Sequence, residues 1–260
     1  MSRGDLTEAE WRILRDLLPI EPENRGRGRP PEQNRSIING ILWRLRCGAP
    51  WRDVPPKYGS WNTIYRRFRR WSEAGVWEIV AVTLAEVMAD SGHYSIDSTT
   101  VRAHVSAAGR KRGTHRRALG RSRGGFTSKL HCLADALGRP LAFHLTVGEA
   151  ADCKAYDDLI DLPERAPVAL LADKGYDADA IRADLAERKI EAVIPGRSNR
   201  RVKIEHDRAL YKQRNRIERM FGHLKVNRAI ATRYDQLANS FLGMIHIATA
   251  RYWLKFVHAA

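Results

Sequence analysis

The stretch that decides the fold is Val168-Ala169-Leu170-Leu171-Ala172, which is followed directly by Asp173-Lys174-Gly175-Tyr176. Five consecutive apolar residues are typical of a short strand that is covered on both faces of a sheet. A carboxylate at the end of such a strand needs a cation partner, a metal ion or an exposed strand end, because burying it unpaired is costly. For one acid alone, a turn or cap aspartate is the simpler interpretation.

The residues on both sides of this run predict a sheet with flanking helices. Short β-rich segments predict further strands at 93–101, 127–133, 141–147 and 192–194. Periodicity and apolar runs predict helices at 155–162, 178–189, 207–228 and 236–258. This order indicates an α/β fold in which a mixed sheet is flanked by helices. Asp97 lies inside the first strand, so a second acid occupies a position where a sheet is normally apolar.

A third acid, Glu218, lies on the long helix predicted at 207–228. It shares one face of that helix with three other polar residues, because spacings of 3, 4 and 7 residues fall within an arc of roughly 60°. The four residues on this face are Tyr211, Arg214, Glu218 and Lys225. An apolar stripe runs beside them, and burying this stripe against the sheet would aim Glu218 toward Asp97 and Asp173. Three acids converging in this way indicate a shared site rather than three separate caps.

Residues 1–90 predict an all-helical region. Its third helix, near 61–71, would bury an aromatic and aliphatic stripe and expose four arginines, Arg66, Arg67, Arg69 and Arg70. Because another helix and a proline-rich turn precede it, this is the profile of a helix-turn-helix recognition helix in a major groove. The alternative is a surface helix whose arginines contact only phosphate or nothing. A basic arm containing Arg25, Arg27 and Arg29 is expected to assist, with a minor groove as its site.

The break at Asp90-Ser91-Gly92 predicts a domain boundary, with a helical DNA-binding domain at 1–90 and the α/β domain at 91–260. The chain has 45 Lys and Arg against 30 Asp and Glu, a net charge of +15, of which +12 falls after residue 90. Such an excess attracts polyanions, nucleic acid above all. A basic loop at 107–125 is expected to be mobile and to meet phosphate; a solvated linker is the alternative.

Several other classes of protein do not fit this sequence. No run of 18 apolar residues is present, and the first residues lack the apolar core of a signal peptide, so we expect a cytoplasmic protein without a membrane partner. Cys47, Cys132 and Cys153 match neither a disulfide framework nor a CxxC metal site. The histidines form no ligand spacing with these cysteines.

Three blocks of sequence resemble a known family. They are Ser95-Ile96-Asp97-Ser98-Thr99, Ala172-Asp173-Lys174-Gly175-Tyr176 and the set Tyr211, Arg214, Glu218 and Lys225. The segments 48–53 and 58–61, with the basic helix that follows, extend the likeness into the N-terminal region. On these motifs the chain resembles a DDE transposase of the IS5 family, in the broader IS4-like group.

The resemblance implies an RNase H-like core, preceded by the helix-turn-helix-like region, that cuts and rejoins DNA at the ends of an insertion sequence. Asp97, Asp173 and Glu218 would be the catalytic residues and metal ligands, with Mg²⁺ as cofactor and Mn²⁺ as a substitute. Expected partners are double-stranded DNA, as terminal inverted repeats and as target, and further copies of the chain in a homodimer or higher assembly on DNA. The expected location is the cytoplasm, in association with the nucleoid.

Carboxylates suit this chemistry because phosphodiester cleavage with two divalent ions places one ion at the attacking oxygen and one at the leaving oxygen. Tyr211, Arg214 and Lys225 would hold the phosphates of the cut end, by position and by family resemblance. The alternative is that these residues only support their helix through i, i+4 pairs. A second reading of the whole chain is a catalytically inactive, transposase-derived regulator that only binds DNA, and the three intact acids favour the enzyme.

Overall fold

The computed structural model describes residues 4–19, 34–89, 92–108, 118–122 and 124–255. Arg25, Arg27 and Arg29 of the predicted basic arm lie outside the described residues, as do residues 109–117 and 123 of the predicted basic loop. The functions expected of the arm and the loop therefore stay predictions. Within the described ranges, no helix is long and apolar enough to cross a bilayer.

Four helices form the N-terminal part: α1 (Glu8–Asp16), α2 (Asn34–Cys47), α3 (Trp61–Glu73) and α4 (Val76–Met88). The start of α1 is fixed by a capping box. The Thr7 hydroxyl accepts the Glu10 N–H at 3.1 Å, and the Glu10 carboxylate accepts the Thr7 N–H at 2.8 Å. Two 3₁₀ turns, Trp51–Asp53 and Pro56–Tyr58, form the proline-rich connection between α2 and α3. The predicted helical character of this part is confirmed.

A mixed sheet follows the helices. Its described strands are β1 (His93–Ala103), β2 (Gly120–Ser122), β3 (Gly125–Ala134), β4 (Pro140–Val147), β5 (Ala169–Leu171), β6 (Glu191–Val193) and β7 (Thr232–Arg233). On one side of β1, β3 pairs antiparallel; on the other side, β5 and β7 pair parallel at its two ends. β2 and β4 pair antiparallel with β3, and β6 pairs parallel with β5. The predicted mixed sheet is confirmed, with β2 and β7 as additional short strands. The prediction of a loop throughout 107–125 is wrong for Gly120–Ser122, because these residues form β2 and pair with β3.

The remaining helices flank this sheet. They are α5 (Val105–Ala108), α6 (Tyr156–Ile160), α7 (Asp179–Glu187), α8 (Arg208–Tyr211), α9 (Asn215–Lys225), α10 (Arg228–Ala231) and α11 (Ala238–Leu254). The prediction of one unbroken helix at 207–228 is wrong, because a 3₁₀ turn at Lys212–Arg214 separates α8 from α9. A 3₁₀ turn advances about 120° per residue instead of 100°. The shared helix face expected for Tyr211, Arg214, Glu218 and Lys225 therefore does not include Tyr211, because Tyr211 precedes the 3₁₀ turn.

The two faces of the sheet are covered by different hydrophobic cores. On one face, Ile96 of β1 packs in a core with residues of α6 and α7. On the other face, Val101 of β1 packs in a larger core with α9, α11 and the N-terminal helices. Trp253 of α11 is fully buried in this larger core, and its indole N–H donates to the Pro140 carbonyl at 3.0 Å. The C-terminal helix thus holds the edge of the sheet against the helical part.

Within the described ranges, the N-terminal helices share one hydrophobic core with α9 and α11. Both α3 and α4 pack on α11, and the buried Arg44 of α2 forms an ion pair with Asp235, just before α11, at 3.2 Å. Gly243 of α11 lies so close to α3 that a Cβ atom there would overlap the Ser72 side chain. The domain boundary near residue 90 stays a prediction, but the hydrophobic core is continuous across it.

Replacing Gly243 with alanine tests this packing. The added Cβ atom would lie 3.0 Å from Ser72 Cβ and overlap the Ser72 hydroxyl, and overpacking of this kind costs about 1–3 kcal/mol. Gly222→Ala, on the exposed face of α9, is the matched control because no atom lies within 4 Å of its new Cβ atom. We expect thermal unfolding to show a lower Tm for Gly243→Ala and an unchanged or higher Tm for Gly222→Ala. Wild-type stability of Gly243→Ala would contradict the close contact of α3 with α11.

Candidate active site

Asp97 lies on β1 at a gap in the sheet. β5 pairs with β1 only as far as Ser95, and β7 begins opposite Arg102, so no described strand covers the residues between them on that side. On its other side, Asp97 is paired with Cys132 of β3. The Asp97 side chain is 15% exposed, so this carboxylate on a central strand is still reached by solvent.

Asp173 lies just beyond the end of β5 and caps the 3₁₀ turn Lys174–Tyr176. Its Oδ1 atom accepts the Gly175 N–H at 2.8 Å. The cap interpretation of this acid is therefore correct, and it does not exclude a role in a site because the cap occupies one oxygen of the carboxylate. A Cβ atom at position 175 would lie only 2.8 Å from the same Oδ1 atom, so the turn packs closely against its capping residue.

Glu218 is joined to Asp97 through one arginine. Arg214 donates from Nη1 to Asp97 Oδ2 at 2.7 Å and from Nη2 to Glu218 Oε1 at 2.5 Å. The Arg214 side chain is 16% exposed, whereas that of Glu218 is 50% exposed. The i, i+4 pair expected as the alternative role of Arg214 is present, and the same guanidinium also reaches across to the sheet.

The electrostatics of Asp97 show that the three acids are close enough to influence one another. Burial raises the pKa of Asp97 to about 6, and the nearby carboxylates of Asp173 and Glu218 contribute to the rise, whereas Arg214 and the Ser98 N–H oppose it. Within the described ranges, no group of three or more His, Cys, Asp and Glu side chains is arranged to hold a metal ion. In this structure Asp97 and Glu218 both contact the Arg214 guanidinium.

Lys225 and Tyr211 lie on either side of this group. Lys225 donates from Nζ to Thr99 Oγ1 at 2.7 Å and to the Thr100 carbonyl at 3.1 Å, which ties the end of α9 to β1. Burial lowers the pKa of the Lys225 ammonium. The Tyr211 ring packs edge-on against His206 at 5.4 Å between centroids and beside the Arg214 guanidinium. These contacts support the helix, and the expected phosphate role of the three residues stays a prediction.

A fourth carboxylate at this site was missed by the sequence analysis. Asp152, in the loop after β4, accepts the Ser98 hydroxyl at 2.6 Å and forms an ion pair with Lys129 at 3.0 Å. A Cβ atom at Gly175 would lie 3.3 Å from its Oδ2 atom, so Asp152 borders the turn that follows Asp173. No periodicity or motif marks Asp152, because only the folding of the loop after β4 brings it beside β1.

Comparison with known proteins identifies the family. Residues 89–253, which include all three acids, match the family model "Transposase DDE domain". Residues 6–81 match the model "Putative transposase of IS4/5 family". The chain belongs to the DDE transposases. The predicted family is confirmed by both matches.

Relatives of this transposase support the same assignment. It is 37% identical over 130 residues to a protein of Brucella ovis named "Putative transposase for insertion sequence element IS6501", a match that covers 50% of this chain and 99% of the relative. It is also 37% identical over 112 residues to an uncharacterized protein of Sinorhizobium fredii, covering 43% of this chain and 87% of the relative. The transposase is therefore that of an insertion sequence.

A solved structure of a piggyBac transposase, in a synaptic complex with hairpin DNA, shares the fold of this transposase. The TM-score is 0.52 at 12% sequence identity, and the match covers 96% of this chain and 70% of that chain. At this identity the likeness concerns the fold alone. It confirms the predicted RNase H-like mixed sheet with flanking helices.

The arginines of α3 do not all face outward as predicted. Arg66, Arg69 and Arg70 are exposed, and Arg69 forms an i, i+4 pair with Glu73 at 2.8 Å. The prediction is wrong for Arg67, which is buried, donates to the Asn34 side chain and lies 5.2 Å above the Trp71 ring. Because Arg67 lies beside the apolar stripe, the aliphatic part of its side chain packs in the core while its guanidinium reaches α2. The DNA-end role of the exposed arginines stays a prediction.

Arg66 and Arg67 should therefore respond differently to alanine substitution. We expect Arg67→Ala to lower the Tm, because it removes a buried contact with Asn34 and the stacking on Trp71. Arg66→Ala should leave the Tm unchanged, since exposed substitutions usually change stability by less than about 0.5 kcal/mol, and should weaken DNA binding if α3 contacts DNA. Thermal unfolding and gel-shift titration of both variants check this. An equal Tm for the two variants would contradict the burial of Arg67.

Proposed function

We propose that this transposase binds the terminal inverted repeats of its insertion sequence and cleaves and rejoins DNA strands through Asp97, Asp173 and Glu218. The observation that carries the proposal is that Asp97 of β1 and Glu218 of α9 share Arg214, while Asp173, beyond the end of β5, is close enough to raise the pKa of Asp97. Asp97 is partly exposed and Glu218 is half-exposed, so a DNA strand could approach both acids at the surface.

The donor set supports a divalent metal ion. The three acids offer hard oxygen ligands of the kind that Mg²⁺ prefers, and Mn²⁺ accepts the same ligands. One guanidinium is shared by two of the carboxylates, so the ionised site retains negative charge that a divalent ion would balance. Asp97, Asp173 and Glu218 would hold the ion. When bound, it would supply Lewis-acid stabilisation of the charge that develops on the phosphate.

The proposed reaction is phosphodiester cleavage followed by strand transfer. In cleavage, a water oxygen forms a bond to phosphorus as the bond from phosphorus to the 3′ oxygen breaks. The proton that the water loses is balanced by the proton that the 3′ oxygen takes up, so the products are a 5′-phosphate and a 3′-hydroxyl end. In transfer, that hydroxyl attacks a phosphodiester of the target in the same way. Arg214 and Lys225, which lie on either side of Glu218 along the chain, would position phosphates by charge-assisted hydrogen bonds.

The DNA partner is proposed from the charge of the chain and from its family. Inverted-repeat DNA and target DNA would both be bound, by a homodimer or a larger assembly of this chain. The exposed arginines of α3, Arg66, Arg69 and Arg70, are the proposed recognition surface in the N-terminal part. Mg²⁺ as the specific cofactor and association with the cytoplasmic nucleoid stay predictions.

Neutral substitutions of the three acids test the catalytic proposal. We expect Asp97→Asn, Asp173→Asn and Glu218→Gln each to reduce Mg²⁺-dependent nicking of inverted-repeat DNA by more than about 100-fold, since even outer-shell partners of metal sites contribute 10–100-fold. DNA binding should persist, because each change removes a negative charge from a surface that meets phosphate. Parallel nicking and gel-shift assays measure the two properties separately.

Asp161→Asn is the matched control for these variants. Asp161 is exposed and forms an ion pair with Arg188 away from the three acids, so its amide variant should nick at the wild-type rate. Retained nicking by any of the three site variants would remove that residue from the proposed site. A wild-type protein that binds the repeats but never nicks them would support the regulatory alternative instead.

A further inference from the structure

A basic segment follows β6 and borders the turn after Asp173. It contains four cationic residues within seven positions: Arg197, Arg200, Arg201 and Lys203. Arg197, Arg201 and Lys203 are exposed. Neither the three-acid motif nor the helix face that carries Glu218 includes this segment, and the family resemblance assigned it no role.

Arg197 is exposed and yet held in place at three points. Its backbone N–H donates to Asp177 Oδ2 at 2.7 Å. Its guanidinium donates from Nε to the Lys174 carbonyl at 3.1 Å and from Nη2 to the Gly175 carbonyl at 3.0 Å. These carbonyls belong to the two residues that follow Asp173, so a positive charge is fixed immediately beside the second acid of the site.

Asp177 is the group that organises this arrangement. It is almost fully buried, and besides the Arg197 N–H it binds Arg182 Nε at 2.8 Å and Arg200 Nε at 2.6 Å. Burial alone would raise the pKa of Asp177, but the hydrogen bonds from Arg200, Arg197 and Arg182 hold it well below its usual range. One ionised carboxylate therefore ties together the turn, α7 and the basic segment.

The arrangement leaves Arg197 equipped to bind an anion. A guanidinium has five N–H donors, and two of those of Arg197 are used on carbonyl oxygens. Carbonyls do not neutralise its charge, and within the described part of the chain Arg197 forms no ion pair with a carboxylate. The other two arginines differ, because Arg182 is paired with Asp177, and Arg200 with Asp177 and Asp179. A fixed arginine also loses less conformational entropy on binding than a mobile one.

We propose that Arg197 binds a backbone phosphate of DNA beside the cleavage site, with Asp177 as its positioning residue. The ligand class is a phosphodiester, and exposed Arg201 and Lys203 extend the surface along the strand. The proposal rests on the proposed function in one respect: it takes the three acids as the place of cleavage. The alternative role of Arg197 is to hold the turn after Asp173 and nothing more.

The test compares Arg197→Gln with Arg165→Gln. Arg165 is also exposed, and it lies ahead of β5, at the opposite end of that strand from Asp173, so both variants lose one charge. The Kd for a random-sequence DNA duplex is measured without divalent ions at several salt concentrations. The association constant for DNA falls as salt rises, and removing one phosphate contact should make the slope of its logarithm against the logarithm of salt concentration shallower by about 0.9. We expect this change for Arg197→Gln and not for Arg165→Gln. We also expect the Kd of Arg197→Gln to rise several-fold, at a Tm within 2–3 °C of the Tm of Arg165→Gln, a shift of roughly 1 kcal/mol or less.

Two results would overturn the proposal. One is a Kd and salt slope for Arg197→Gln equal to those of Arg165→Gln. The other is a fall in Tm with unchanged binding, which is the signature of a purely structural role. Because the assay uses neither metal ion nor cleavage, it remains informative if the wild-type protein fails to nick DNA, and that failure would count against the proposed function alone.

A double-mutant cycle tests the positioning role of Asp177. Asp177→Asn should weaken DNA binding, and adding Arg197→Gln to it should cause little further loss, because the first change already releases the side chain. Fully additive losses would show that Asp177 does not act through Arg197. Should Asp177→Asn fold poorly, Arg200→Gln replaces it in the cycle, since it removes one of the two arginines that hold Asp177.

Discussion

The hydrogen bonds of Arg214 to Asp97 and Glu218 are the interaction on which the site depends. They join α9 to the central strand at the point where β5 has ended and β7 has not begun. For this contact to form, the apolar side of α9, with Ile217, Phe221 and Leu224, has to pack in the large core. Lys225 then fixes the far end of the helix to β1. Because β5 ends at Leu171, Asp173 lies outside the strand and caps the turn beside this contact.

The same hydrophobic core also holds the N-terminal helices against the sheet. α11 contacts α3 and α4 on one side and β4 on the other, with Gly243 allowing the closest approach. The buried pair of Arg44 with Asp235 adds a link from α2. Such a core resists independent movement of its layers, since protein interiors are closely packed. The exposed arginines of α3 and the three acids therefore belong to one packed body, even though the two parts match separate family models.

Sequence patterns predicted what depends on periodicity and on neighbours along the chain. The strand at 168–172, the helices of the N-terminal part and the apolar stripe beside Glu218 followed from local rules, and the structure has each of them with shifts of a few residues at the ends. The 3₁₀ turn before α9 and the burial of Arg67 were not predictable in this way. Arg67 is buried because Asn34 and Trp71 lie on either side of it, and Asn34 belongs to a different helix. Asp152 and Asp177 were missed for the same reason, since most of their partners are distant in sequence.

The acids of this protein differ in the number of cationic side chains that each one contacts, and this difference sets Asp177 and Asp135 apart from Asp97. Asp177 binds two guanidinium groups and is inaccessible, and Asp135 is buried against Arg139 at 2.6 Å. Ion pairs of this kind are satisfied and leave no charge for a ligand to balance. Asp97 instead shares a single arginine with Glu218, next to the further charge of Asp173, and its pKa is raised rather than lowered. An acid that the fold leaves short of positive charge is one that a metal ion can stabilise, so the distribution of arginines supports the proposed site at Asp97, Asp173 and Glu218.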